Sequence, residues 1–151
     1  MKKKASATVL VVILALVIVR YFFVGNPIIA VHNNQLKKAV TSIKDSQTVT
    51  LNEVVPFEWD TVYTFAPYET KENIEKTIGA KSSSIKETVS EEMVSLVFVK
   101  DNKVTASVFA YPSNLGYKIS FDDFVSYEDN KIFAVENSID QETNIIKLTL
   151  Q

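Results

Sequence analysis

Cysteine is missing from all 151 residues. That excludes disulfide frameworks, thiolate zinc sites, thiol nucleophiles and lipid attachment through sulfur. Glycine is almost as scarce: Gly25, Gly79 and Gly116 are the only three, too few and too scattered for a loop that cradles phosphate, so nucleotide chemistry is not expected. Histidine occurs once, as His32. A single imidazole without a second His or a Cys supports neither a catalytic triad nor a zinc centre, and the position reads as an exposed helix residue. No cofactor and no metal are therefore expected.

What is present is distributed unevenly. Residues 9–19 read VLVVILALVIV, without one polar side-chain atom. Residues 5–24 would make a helix of about 30 Å, the thickness of a bilayer core, so the pattern predicts a transmembrane anchor. Arg20, Tyr21, Phe22 and Phe23 suit an interfacial belt at its far end. Lys2, Lys3 and Lys4 predict a short cytoplasmic tail over residues 1–4, hence a single-pass protein of the cell membrane with residues 25–151 outside. The run closes on RYFFVGNP rather than on the small residues of a cleavage site, which favours an uncleaved signal-anchor.

Beyond the predicted span the chain carries 12 basic and 18 acidic residues. An acidic domain makes nucleic acid a poor partner, because phosphate recognition needs clustered Lys or Arg. A neutral or basic protein partner is expected instead. Ile29, Leu36, Val40 and Ile43 fall near a 3.6 period and predict an amphipathic helix over 28–46. EWDTVYTF, residues 58–65, predicts a strand stopped by Pro67. Thr70 and Gly79 bracket a short capped helix. Residues 93–100 and 103–111 form a predicted hairpin across Asp101 and Asn102. Apolar stretches at 117–121, 132–136 and 145–150 are expected to extend the same sheet. The predicted fold class is α+β: one transmembrane helix, then a small domain with one antiparallel sheet and about two helices on one face.

Five of the 16 aromatic residues, Phe57, Trp59, Tyr63, Phe65 and Tyr68, crowd into positions 57–68. Two readings are open for them: core rings that turn the strand into its helix, or a contact surface on which Trp59, Asp60, Tyr63 and Tyr68 are the binding residues. Strict alternation would place Trp59 and Tyr63 on one face and Asp60 on the other.

The segment FEWDTVYTFAPYETKENIEKTIG, residues 57–79, resembles one found in small uncharacterised exported proteins, membrane-anchored or lipoproteins, of low-GC Gram-positive bacteria. The similarity covers the aromatic, WD, strand, PY and helix pattern of these residues alone. It implies an exported domain, although the chain departs from the lipoprotein members in having no lipid-bearing cysteine.

Catalytic constellations are hard to assemble. Ser83 and Lys86 match S-x-x-K without the companion motifs of penicillin-binding enzymes. Glu91 with Glu92, and Asp122 with Asp123, are adjacent acids; neighbours in a strand would point to opposite faces and read as solvated charge. The leading expectation is a non-enzymatic binding domain, either an inhibitor or immunity-type protein or an accessory or sensing subunit of an envelope complex. The other class is an envelope hydrolase working through carboxylates such as Asp60 or Asp122.

Overall fold

The computed structural model describes residues 8–18, 26–44 and 47–151. Residues 8–18 are helical (α1), and at 1.5 Å per residue they extend only about 16 Å. Among the described residues no helix is long and apolar enough to cross a membrane. This overturns the expected transmembrane anchor over 5–24, and with it the signal-anchor and the cell-membrane location drawn from it. The predicted tail over 1–4 and both ends of the predicted span lie outside the described residues.

Helix α2, Pro27–Thr41, begins where Asn26 Oδ1 accepts the N–H of Ile28 and Pro27 supplies a preset φ at the first turn. Its buried residues, Ile29, Leu36 and Val40, repeat at helical spacing and face inward. Strand β1 (Thr48–Thr50) runs into the short helix α3 (Leu51–Val54), closed by a capping box between Thr50 and Glu53. Then come β2 (Thr61–Thr64) and α4 (Lys71–Ile78). Thr70 Oγ1 accepts the Asn73 N–H at one end of α4, and Gly79 at φ 68° ends it in the left-handed conformation that glycine adopts without strain.

Strands β3 (Val94–Lys100) and β4 (Lys103–Ala110) form a hairpin whose turn residues, Asp101 and Asn102, both have positive φ, as a tight primed turn requires. The remainder is α5 (Pro112–Leu115), β5 (Tyr117–Ser120), β6 (Phe124–Ser126), a 3-10 turn at Tyr127–Asp129, β7 (Ile132–Asp140) and β8 (Thr143–Leu150).

These strands build two four-stranded sheets, in the orders β4-β3-β2-β6 and β1-β7-β8-β5. All pairs are antiparallel except β5 with β8. The single sheet expected from the sequence is thus corrected to two: β5, β7 and β8 leave the first sheet and only β6 joins it. The expectation of about two helices on one face is corrected as well: beyond α1 the described residues hold four α-helices, with α2 closing the main core and α4 covering the opposite face of β3.

Between the sheets lies the main core. Val62, Leu96, Phe98 and Val125 enter it from the first sheet, and Tyr117, Ile119, Phe133 and Leu148 from the second. Leu36 and Val40 of α2 close its side. Alternate residues of β3 serve a second cluster, in which Val97 and Val99 pack beneath Ile74 and Ile78 of α4 together with Ile85. Burial on both faces explains why β3 reads as an almost unbroken apolar run.

Candidate functional site

The residues singled out by the sequence do not converge. Trp59 is 3% exposed; its indole meets Phe98 edge-on at 5.9 Å and Tyr127 at 5.3 Å. It is a core ring. Tyr63 faces the other way, toward the α4 side of the sheet, packed against Phe65 at 6.3 Å and Phe124 at 6.0 Å. The expected sharing of one face fails because the strand starts at Thr61. Residues 59 and 60 precede it, so the period-2 rule does not reach them.

Asp60 is a brace. Its carboxylate accepts from Lys100 Nζ at 2.6 Å and from the Asp101 N–H at 2.8 Å, while its backbone bonds Val99 and Tyr127. The Lys100 hydrogen bond, followed by that from Asp101, holds the Asp60 carboxyl below the usual carboxylate range. The same pairing pushes the Lys100 amine up. A carboxylate so engaged anchors the β3–β4 turn and is poorly suited to act as a general acid.

Tyr68 is 67% exposed and sits at φ 65°, a region a bulky side chain seldom occupies. Thr88 holds it there. The Thr88 carbonyl accepts the Tyr68 N–H at 3.0 Å, and its buried hydroxyl donates to Ala66 O at 2.9 Å and accepts the Glu69 N–H. Nothing in the sequence marked Thr88, which acts from about twenty residues away.

The position that sequence reasoning missed is Phe124. It lies on the edge strand β6, in register with Tyr63, and is 57% exposed although its ring rests on another ring. Tyr63, Phe65 and Phe124 therefore form an aromatic row on the α4 side of the first sheet, half-buried at Tyr63 and Phe65 and exposed at Phe124. Asp122 and Asp123 precede it in the β5–β6 turn, both exposed. They are not in a strand, and neither are Glu91 and Glu92, which occupy a turn before β3.

His32 also differs from expectation. It is half-buried, stacks on Phe57 at 4.5 Å, and its Nδ1 donates to Thr105 O at 2.8 Å. Among the described residues no group of three or more His, Asp or Glu could hold a metal ion. The chain matches no known protein family, and neither curated proteins nor solved structures provide a match.

Proposed function

We propose that this domain is a non-catalytic protein-binding module whose contact surface is the aromatic row Tyr63, Phe65 and Phe124. The observation that carries this reading is Phe124: a large ring more than half exposed, yet positioned by its contact with Tyr63. Covering the exposed half of such a ring contributes roughly 1–2 kcal/mol, and aromatic anchors of this kind dominate contact energies. Exposed Asp122 and Asp123 beside it favour a neutral or basic partner by steering and by repelling acidic surfaces.

Site-specific photocrosslinking tests the reading. A photoreactive side chain at position 124 is expected to trap one discrete protein, with the yield falling for Asp122→Asn/Asp123→Asn. The same group at the more open position 139, on the β7–β8 hairpin, should trap none. Absence of a discrete product at 124, or identical products at both positions, would overturn it.

A further inference from the structure

At the opposite edge of the same sheet, two hollows of about 470 and 750 Å³ join at Asn26, Ile29 and Ser83. The resulting groove runs along α2 and β4 and is closed on its third side by the loop 81–86. Its charge is opposite to that of the domain. Of the 12 lysines and 18 acids beyond residue 25, five lysines line it (Lys37, Lys71, Lys81, Lys86 and Lys103) and one acid, Glu75. Glu75 is already engaged by Lys71 and the Ser82 N–H. Among the described residues Lys37 donates only to a neutral carbonyl, that of Asn114. Lys81, Lys86 and Lys103 make no ion pair or hydrogen bond among the described residues. Among the described residues no carboxylate lines the larger hollow.

Beneath this basic rim the floor is apolar, formed by Ile29, Val104, Val108, Phe109 and Leu115. We propose that the groove binds an amphipathic organic carboxylate: one anionic head held by the lysine rim, and an extended apolar body laid on the floor. An open hollow of this size, whose wall mixes lysine, asparagine and serine with apolar side chains, suits a small organic ligand that is itself part polar and part apolar. An extended peptide adding to β4 is disfavoured, because three outward backbone groups at the middle of the strand are occupied. Thr105 O bonds His32, and both the N–H and the carbonyl of Ser107 bond Asn33. Lysines rather than arginines supply the charge, which suits a point-charge head and does not demand bidentate geometry.

Calorimetric titration of the full chain with dodecanoate tests the proposal, alongside acetate (head without body) and dodecyltrimethylammonium (same body, opposite head). Dodecanoate is expected to bind and the other two are not. Lys81→Glu/Lys86→Glu should weaken dodecanoate about tenfold, whereas the equal charge change Lys118→Glu/Lys147→Glu, outside the groove, should alter it less than about twofold. Methyl resonances of Ile29 and Val108 should shift on binding. Equal losses in both double variants, equal affinity for the cationic amphiphile, no binding of dodecanoate, or methyl shifts confined to residues 8–18 would overturn the assignment. The aromatic row lies across the sheet from this groove, so loss of dodecanoate binding leaves crosslinking at position 124 as a separate result.

Discussion

The side chain of Asn33 and the backbone of Ser107 exchange two hydrogen bonds: Nδ2 donates to the Ser107 carbonyl at 2.7 Å, and the Ser107 N–H donates to Oδ1 at 3.0 Å. A helix side chain thereby gives the edge strand β4 what a neighbouring strand would have given. With His32 on Thr105, it closes an edge that would otherwise recruit another chain. The same contact fixes how α2 lies along β4, and so sets the wall of the lysine-rimmed groove.

Asn33→Leu keeps the volume near the strand and removes both partners of Ser107, which is buried. Two backbone groups would lose their bonds at about 1–3 kcal/mol each where water cannot replace them. The urea midpoint is expected to fall by the equivalent of at least 2 kcal/mol, approximately, with an unchanged slope. An unchanged midpoint would show that water satisfies Ser107 in the variant.

Trp59 and Phe124 should respond in opposite ways. Trp59→Ala empties a fully packed site against Phe98 and Tyr127, at a cost of about 3–5 kcal/mol, a large share of the stability of a domain of this size. Phe124→Ala removes an exposed ring and should cost less than about 1 kcal/mol, while abolishing any contact made through the aromatic row. Circular dichroism melts of the two variants decide the matter, and a Trp59→Ala protein that melts with the parent would contradict the placement of the indole in the core.

The contrast shows which parts of the architecture were legible. Helix α4 could be read because Thr70 and Gly79 act within one turn of the residues they cap. The β3–β4 hairpin could be read because Asp101 and Asn102 alone dictate its turn. The second sheet could not, because β1 is three residues long and β5 pairs in parallel with β8, across a hairpin and a turn. Phe124 was missed for a similar reason: only the β2–β6 register brings it to Tyr63, some sixty residues earlier. The predicted set was scattered because Trp59 and Asp60 precede the strand, so the former turned inward and the latter found Lys100. The groove rests on α2 meeting β4 more than seventy residues away, a coincidence no local pattern encodes.

The Asp60–Lys100 pair should leave a signature in acid. Because the folded carboxyl ionises below its usual range, the unfolded chain holds more protons as pH drops through that range. The pair's contribution is thus fully present above about pH 4, the ordinary carboxylate value, and is lost as pH falls through the lowered one. Asp60→Asn removes this dependence. Urea midpoints measured from neutrality down to strongly acid pH should converge for the two proteins at the acid end and differ most above it. A parallel offset at every pH would assign the effect to the hydrogen bond to Asp101 rather than to charge.

Tyr117 has no exposed surface, and its hydroxyl has no hydrogen-bond partner among the described residues. Burial also drives its ionisation far up, so the group stays a neutral donor with nothing to donate to. Leaving such a hydroxyl unpaired costs about 1–3 kcal/mol, whereas deleting it leaves the ring's packing in place. Tyr117→Phe is therefore expected to stabilise the fold by about 1 kcal/mol, and Tyr117→Leu, which also gives up ring volume in the main core, to destabilise it by more than that. Urea unfolding of the three proteins separates oxygen from ring. If Tyr117→Phe were instead the less stable protein, the hydroxyl would have to be bonded in solution.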